Sequence, residues 1–308
     1  MEGRTVTLGP VISLLVVLAV APALPGIATR TRAFLTGRRG APILQLYFDL
    51  AKLLRKNVVY SRITTPVFRL GPIVVVASAL VAAMLLPLDG HTALLSFTGD
   101  LVAFAGLLGL GRFALVLAGL DTGSSFEGMG ASREVTVSTF AEPALFLCLT
   151  VLVLATGELS LAGMLGERLG SVWASAAPSL SLAGAGLFMV ALAEASRVPV
   201  DDPATHLELT MIHEVIVLDH SGPELALIHF GSAVKLALLG TLVVSVLVPR
   251  GLLPEWLAVL VLVGGLGVVA IGVGVVEASM ARLRMSRVPQ FLVAASALAT
   301  FGVILLLR

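Results

Sequence analysis

One stretch of the chain, residues 193–222, concentrates the side chains that could carry protons. It holds six of the 19 carboxylates and three of the five histidines of the protein, against one basic residue, Arg197. These titratable residues are Glu194, Asp201, Asp202, His206, Glu208, His213, Glu214, Asp219 and His220. The chain around them is apolar. So dense a titratable set in such a chain indicates either a solvated loop or a proton-handling site.

The same stretch carries the signals of a helix. Asp202 followed by Pro203 is a helix N-cap with proline at the first helical position, and Gly222-Pro223 is typical of a helix end. We therefore expect most of 203–222 to be helical. Projected on that helix, Glu208 lies on the apolar side, where the pKa of a carboxylate is raised, and one opposite face carries His206, Thr210, His213 and His220.

Two metal-binding interpretations fail on spacing. His213-Glu214 begins an HExxH motif, but position 217 is valine, so the second zinc ligand is missing. His213 and His220 would lie roughly 10 Å apart along a helix, too far to share one ion. The single cysteine, Cys148, provides neither a disulfide nor a cluster site. We expect no metal or other cofactor on this chain, and favour a hydrated histidine face that contacts a partner subunit.

The composition is that of a polytopic membrane protein. The chain is 57% hydrophobic and 13% charged, with a mean hydropathy of +1.03. A bilayer crossing needs about 20 apolar residues. We predict an all-α fold, one integral membrane domain over 1–308, with eight transmembrane helices near 6–28, 67–88, 97–120, 136–156, 178–196, 224–248, 254–276 and 290–307. The first stretch is longer than a usual signal-peptide core, which favours a retained helix over a cleaved signal.

The distribution of basic residues sets the predicted orientation. With the N-terminus outside, fourteen Lys and Arg residues fall in cytoplasmic segments and four in external ones. We therefore predict that both termini lie outside, in the plasma membrane of a prokaryote. Residues 193–222 then face the cytoplasm, as an acidic loop and helix over about 197–222.

A short segment, residues 42–57, is predicted to lie in the membrane interface. It is too short and too charged to span the bilayer. On a helix its apolar residues cover most of the surface, while one narrow face carries Gln45, Asp49, Lys52 and Lys56. The alternative is a loop helix packed on the bundle.

Several ionisable residues fall inside the predicted spans, where charges are costly and mark pathways or buried pairs. They are Arg112, Glu142, Glu194, His229 and Lys235. Arg112 stays charged, so we expect it to neutralise Glu142 or Glu194, whereas a desolvated Lys235 can take part in a relay. Structural ion pairs are the alternative. Glu134 lies eight residues before Glu142 on roughly the same helix face, although it could also be an interfacial residue.

Several motifs then carry a resemblance to a known family. The pattern Ala193-Glu194-x-x-Arg197-x-Pro199-x-Asp201-x-Pro203, together with the Arg39-Gly40-x-Pro42 segment running to Lys52-Leu53, resembles the membrane subunit shared by respiratory complex I and the membrane-bound nickel–iron hydrogenases. The strings VDDPATHLELTMIHE and ARLRMSRVPQFL are more similar to the hydrogenase branch, in particular to formate hydrogenlyase subunit 4. The resemblance covers nearly the whole chain.

The resemblance implies a non-catalytic membrane subunit that anchors a soluble redox arm and couples its electron transfer to proton or sodium movement. It implies a proton path through Glu142, Glu194, Asp201, Asp202, Glu208, Glu214, Lys235 and His229, with Arg112, Arg197 and Glu134 as charge partners. Contacts with the soluble arm would come from Arg39, Asp49, Lys52, His206, His213 and Arg284. In the sixth span this chain has His229, Ser232 and Lys235 where complex I relatives carry a glutamate, which leaves the exit of the path open.

The implied partners are hydrogenase-like large and small subunits, an iron–sulfur subunit and antiporter-like membrane subunits, with lipid around them and no nucleic acid. Iron–sulfur clusters and a nickel–iron site would then belong to those partners, and the hydrogenase branch argues against a bound quinone. Three other functions remain open: a stand-alone proton-coupled secondary transporter, a quinone-binding subunit of a complex I-like dehydrogenase, and a passive anchor. A transporter of this kind usually shows inverted repeats, which the sequence does not.

Overall fold

The computed structural model describes residues 8–201 and 211–308, and within these ranges the regular structure is entirely helical. The α-helices, in chain order, are α1 Leu8–Val20, α2 Ala23–Leu35, α3 Gln45–Leu53, α4 Pro66–Leu85, α5 Asp100–Asp121, α6 Ser125–Thr156, α7 Leu161–Leu165, α8 Glu167–Glu194, α9 His213–Ile216, α10 Gly222–Leu247, α11 Glu255–Ser279 and α12 Val288–Leu306. Two single 3₁₀ turns, Arg250–Leu252 and Met285–Arg287, precede α11 and α12.

Seven helices of the described chain are long and apolar enough to cross a membrane, and an eighth span is formed if α1 and α2, bent by 41° at their break, are taken together. The predicted all-α polytopic fold is therefore confirmed. Two helices begin earlier than predicted: α6 at Ser125 and α8 at Glu167. Their first turns carry charged residues, which lower the local hydropathy without interrupting the helix.

The predicted interfacial segment contains the short helix α3, which packs against α2 and α10. Gln45 Nε2 donates to Asp49 Oδ1 at 2.9 Å, so these two residues do share a helix face. The hydroxyl of Tyr47 donates to the carbonyl of Ala19, which ties α3 to the end of α1. The placement of α3 at the membrane surface stays a prediction.

Five helices pack in a closed circuit, with α4 against α5, α5 against α6, α6 against α8, α8 against α10, and α10 back against α4. Glycines permit close approaches between its helices, for example at Gly111 and Gly231. A Cβ atom on Gly111 of α5 would lie 2.6 Å from Ser78 Oγ, and one on Gly231 of α10 would lie 2.7 Å from Val75 Cγ1. Helices in lipid approach closely through such small residues. The helices of this circuit carry the intramembrane charges.

The prediction of one helix through 203–222 is wrong for its described part. Only His213–Ile216 is helical, and a turn follows it before α10 begins at Gly222. Two buried carboxylates bind the backbone of this non-helical segment. Asp201 Oδ2 accepts from the N–H groups of Ile212 and His213 at 3.0 and 3.1 Å. Glu127 Oε1 accepts from the N–H group of Asp219 at 3.1 Å. Side-chain acceptors from elsewhere in the fold thus replace helical bonds.

Candidate functional site: a buried charge cluster and its entrance

Arg112 sits in the interior of α5 and faces carboxylates from two other helices. Its Nη2 atom lies 2.9 Å from Glu194 Oε1 and 3.5 Å from Glu142 Oε1, and its Nε atom lies 4.0 Å from Glu134 Oε1. The predicted pairing of Arg112 with Glu142 or Glu194 is confirmed for both. Glu134 is 8% exposed and belongs to the same cluster, so it is buried within the helix bundle.

Glu194, the last residue of α8, is held from two sides. Its second oxygen, Oε2, lies 2.6 Å from Lys235 Nζ of α10. Only 4% of the Glu194 side chain is exposed, so both ion pairs are shielded from bulk solvent. Removing one partner of a buried ion pair strongly destabilises the fold, because the other charge stays buried without compensation. We call Arg112, Glu134, Glu142, Glu194 and Lys235 the charge cluster.

A cavity of about 50 Å³ adjoins the charge cluster. Its polar lining consists of Arg112, Glu134, Glu194, Lys235 and His213 and the hydroxyl side chains of Ser78, Ser196 and Ser232. Apolar residues such as Val75, Leu108 and Leu115 complete its walls. At roughly 10–15 Å³ for each water, this volume holds about three to five waters, and the polar part of the lining supplies their hydrogen-bond partners. The charge cluster therefore has space for a proton-conducting water chain.

A second cavity, of about 120 Å³, lies on the side of residues 195–201. It shares Ala195, Ser196, His213 and Ser232 with the first cavity, and adds Arg197, Asp201, Glu214 and His229. His213 Nε2 lies 3.2 Å from Ser232 Oγ, at the point where the two cavities share their walls. We call the smaller cavity, beside the charge cluster, the inner cavity and the larger one the entrance cavity. Burial lowers the pKa of His213, which is therefore neutral near pH 7.

Two ion pairs fix the segment that forms the entrance cavity. Arg197 Nη1 lies 3.3 Å from Glu277 Oε1 at the end of α11, and Arg282 Nη2 lies 3.4 Å from Asp201 Oδ1. The backbone N–H of Leu283 also donates to the carbonyl of Pro199 at 2.8 Å. Burial raises the pKa of Asp201, although its backbone hydrogen bonds oppose that rise. The entrance is thus attached to the connection between α11 and α12.

The other predicted site residues fall into three groups. Glu214 and His229 line the entrance cavity, together with His213. Arg39, Lys52 and Arg284 are exposed and Asp49 is half-buried, so all four are accessible to a partner subunit. Their contact with the soluble arm stays a prediction. Asp202, His206 and Glu208 lie outside the described residues.

A second polar cluster, not predicted from the sequence, lies at the starts of α4 and α10. Glu224 accepts from the Tyr60 hydroxyl at 2.7 Å and lies 3.4 Å from Nδ1 of His220, whose ring stacks on Phe68 with centroids 3.9 Å apart. His220 is 3% exposed. The prediction that His213 and His220 share a hydrated face is therefore wrong. The sequence did offer one signal for this cluster, a glutamate, Glu224, directly after a proline in the first turn of a membrane span. Its partner Tyr60 could not be predicted, because the two residues are 164 positions apart.

Burial lowers the pKa of His220, while the hydrogen bond with Glu224 opposes the shift. In the unfolded chain a histidine titrates near pH ~6.5, so between that pH and the lower folded pKa the unfolded state binds more protons. We therefore expect stability to fall as pH drops below ~6.5, by at most about 1.4 kcal/mol per pH unit for this residue. Thermal-shift measurements on the detergent-solubilised protein from pH ~7 to ~5 should show a shallower slope for His220→Phe.

Phe68→Leu provides the matched control for this prediction. It removes the stacking partner but keeps the titrating imidazole, so stability should drop at every pH while the slope remains. An identical slope in wild type and His220→Phe would show that His220 does not contribute to the pH dependence.

Among the described residues, no group of three or more His, Cys, Asp or Glu side chains is arranged to hold a metal ion. The charged groups of the cluster instead pair acid with base across helices. Charged groups at membrane depth are costly, and they mark either ion pathways or structural ion pairs.

The chain matches a known protein family over nearly its whole length. The family model described as NADH dehydrogenase matches residues 9–307. Hydrogenase-4 component C of Escherichia coli (strain K12) is 36% identical over 77% of this chain and 73% of its own length. Formate hydrogenlyase subunit 4 of the same organism is 33% identical over 91% of this chain and 92% of its own length.

More distant similarity extends to a solved structure. A chain of the membrane-bound sulfane sulfur reductase, an archaeal respiratory membrane complex, has the same fold, with a TM-score of 0.84, 20% identity, and coverage of 97% of this chain and 98% of that one. The chain is therefore a multi-pass membrane protein of the NADH dehydrogenase family, to which complex I subunit 1 and the formate hydrogenlyase and hydrogenase-4 membrane subunits also belong.

Proposed function

We propose that this protein is the membrane subunit of a respiratory hydrogenase of the formate hydrogenlyase type, and that it couples electron transfer in partner subunits to proton or sodium movement. The observation that carries the proposal is the row of polar groups from the entrance cavity, past His213 and Ser232, to the charge cluster. A passive anchor does not require a hydrated cavity beside buried ion pairs.

The path as proposed begins at Asp201 and Glu214, on the cytoplasmic side. From there protons pass through the waters of the entrance cavity to the inner cavity and reach Glu194 and Glu134. Asp202 and Glu208, which lie outside the described residues, would extend the path toward the cytoplasm. The carboxylates take up and release protons, while the fixed charge of Arg112 keeps them from repelling one another.

The lateral end of the path is placed at Glu142. Its side chain is 47% exposed, although it lies in a helix that spans the membrane. A carboxylate facing lipid costs several kcal/mol, so this surface calls for a protein neighbour with a polar or basic residue at the same depth. We assign that position to an antiporter-like membrane subunit, which would receive the proton or the electrostatic signal.

The soluble arm is placed on the cytoplasmic surface, with both chain termini outside, in the plasma membrane of a prokaryote. Arg39, Lys52 and Arg284 are exposed there and would bind acidic groups of the hydrogenase-like large and small subunits and of the iron–sulfur subunit. The iron–sulfur clusters and any nickel–iron site belong to those partners. Similarity to formate hydrogenlyase subunit 4 over nearly its full length supports this assignment.

We propose that no quinone binds in the entrance cavity. Ligand pockets for molecules of that size have volumes of about 300–1,000 Å³. The entrance cavity, at about 120 Å³, is well below that range. We therefore assign no quinone-dependent step to this chain.

Glu142→Gln is expected to uncouple ion movement while the complex still assembles. Glutamine has the same shape but cannot carry a proton, and the half-exposed position tolerates the loss of its 3.5 Å contact with Arg112. Proton movement per electron should fall about tenfold or more, measured with a pH-sensitive dye in inverted membrane vesicles. Thr139→Val, an exposed position on the same helix, is the control and should behave as wild type.

Glu208→Gln provides a second test, from the proposed cytoplasmic end of the path. Unchanged proton movement in both variants, with assembly intact, would contradict the proposed path. Co-purification of the soluble subunits with this chain reports on assembly separately, so loss of coupling is distinguished from loss of the complex.

A further inference from the structure

A further cavity, of about 470 Å³, lies between residues 59–68 and residues 218–221. We call it the surface cavity. Its volume falls within the range of about 300–1,000 Å³ that is usual for ligand-binding pockets. It shares no lining residue with the inner or the entrance cavity. Its polar lining comes from Tyr60, Ser61, Thr64, Asp219, His220 and Ser221.

The surface cavity lies at the level where two membrane spans begin. Phe68, on its wall, belongs to the first turn of α4, and Ser221 directly precedes α10. Both helices are long and apolar enough to cross the bilayer. The apolar wall residues Val59 and Leu218 are 74% and 52% exposed. Because the ends of membrane spans lie at the headgroup region of a bilayer, lipid headgroups can reach this cavity.

One part of the wall presents hydrogen-bond acceptors. His220 is buried, and its Nδ1 lies 3.4 Å from Glu224 Oε2. Since burial lowers the pKa of His220, its ring is neutral near pH 7 and carries its single proton on Nδ1, facing the carboxylate. Nε2 is then an acceptor, and it has no hydrogen-bond partner among the described residues. The carboxylate of Asp219, an exposed wall residue, lies on the adjacent position of the chain.

Another part of the wall suits an anion. The guanidinium of Arg69 lies over the ring of Tyr60, 4.1 Å from its centroid, and is exposed. The Tyr60 hydroxyl donates to Glu224 at 2.7 Å, which fixes the ring beneath Arg69. Ser221 Oγ accepts from the backbone N–H of Val59 at 3.1 Å, so its hydroxyl can itself donate to a ligand. Guanidinium and hydroxyl groups are common partners of phosphate.

We propose that the surface cavity binds the headgroup of a zwitterionic aminophospholipid of the phosphatidylethanolamine class. The ammonium group donates to His220 Nε2 and to the Asp219 carboxylate, the phosphate lies against Arg69, and the acyl chains lie along Val59 and Leu218. A choline headgroup has no N–H donor for these acceptors, and a glycerol headgroup brings no positive charge to Asp219. The site is separate from the proposed path and does not depend on the proposed function.

The test uses the full-length protein, purified in detergent with whatever subunits accompany it and washed free of lipid. Native mass spectrometry follows the binding of phosphatidylethanolamine, phosphatidylcholine and phosphatidylglycerol with identical acyl chains. We expect phosphatidylethanolamine to bind about tenfold more tightly than the other two, because only its headgroup makes the charge-assisted hydrogen bonds. Equal affinities for the three lipids would overturn the proposal. Free phosphoethanolamine should bind more weakly than the lipid, and equal binding would overturn the assignment to a lipid.

Two variants at exposed positions separate the two halves of the headgroup. Asp219→Asn should reduce the preference for phosphatidylethanolamine over phosphatidylcholine to about threefold or less, because the carboxylate is lost. Arg69→Gln should weaken the binding of all three lipids by a similar factor, and Arg69→Lys should restore it. Glu167→Gln, which removes an exposed carboxylate far from the cavity lining, is the control and should bind lipid as wild type does. An unchanged preference in Asp219→Asn would contradict the placement of the ammonium group.

Two other occupants are outcomes of further measurements on the same protein. With a photo-crosslinking residue in place of Ser61, illumination of native membranes should yield adducts with phosphatidylethanolamine. Adducts with another subunit instead would overturn the proposal and identify a protein interface. A short-chain quinone, which carries no charge, should not displace bound phosphatidylethanolamine, and displacement would likewise overturn the proposal.

Discussion

Replacing Glu194 with glutamine is expected to abolish coupled ion movement while electron transfer continues in the presence of an uncoupler. Both oxygens of Glu194 face cations, Arg112 at 2.9 Å and Lys235 at 2.6 Å. A glutamine amide offers one acceptor oxygen and must direct its N–H₂ group at the other cation. It also removes one negative charge from the charge cluster. Proton movement per electron should fall by about one hundredfold.

The measurement for Glu194→Gln is the ratio of protons moved to electrons transferred in vesicles. Glu158→Gln is the matched control, because Glu158 also pairs with an arginine, Arg168 at 3.3 Å, but on a largely exposed site. Its ratio should equal that of wild type. A Glu194→Gln complex with an unchanged ratio would remove the charge cluster from the path.

Arg112→Met is expected to have the largest effect on stability. It removes the one cation that faces Glu134, Glu142 and Glu194 together, and leaves Glu194 with Lys235 alone. Loss of one partner from a buried ion pair costs about 3–5 kcal/mol, because the other charge stays buried without compensation. We expect a clearly lower thermal transition for the detergent-solubilised protein and poor recovery of the assembled complex.

Arg168→Met serves as the control for Arg112→Met, since the Arg168 side chain is 66% exposed. Exposed pairs contribute at most about 1 kcal/mol, so its transition should remain near that of wild type. A supporting variant is Arg112→Lys, which keeps the positive charge but not all three contacts. Its thermal transition should lie between those of Arg112→Met and Arg168→Met. Equal transitions for Arg112→Met and Arg168→Met would show that the cluster does not stabilise the fold.

The membrane spans could be predicted from the sequence because twenty consecutive apolar residues have few other structural interpretations. The starts of α6 and α8 could not, since charged residues such as Glu127 and Glu167 lower hydropathy just where the helices begin. Glu127 is nevertheless only 1% exposed. The hydroxyl of Thr122 and the backbone N–H of Asp219 donate hydrogen bonds to its carboxylate, which compensate for its burial. Local hydropathy does not register such tertiary partners.

The intramembrane charges were also identifiable from the sequence, as residues out of place in lipid. Their pairing was only partly predictable. Arg112 was expected to face Glu142 or Glu194, but the contact of Lys235 with Glu194 depends on how α8 and α10 pack. The pairing of Arg197 with Glu277 was missed, because these residues are 80 positions apart. A helix was expected through 203–222, but within 211–222 backbone N–H groups donate to the carboxylates of Asp201 and Glu127 instead. No local capping signal predicts these hydrogen bonds.

The most direct test of the central claim starts from an affinity tag on this chain. The protein is purified in a gentle detergent and reconstituted into liposomes with whatever subunits accompany it, and proton movement is measured on addition of formate or reduced ferredoxin. The account predicts that hydrogenase-like and iron–sulfur subunits co-purify, and that electron transfer drives proton movement that an uncoupler collapses and Glu194→Gln lacks. Recovery of the chain alone, moving protons in liposomes without any electron donor, would contradict it and identify a stand-alone transporter.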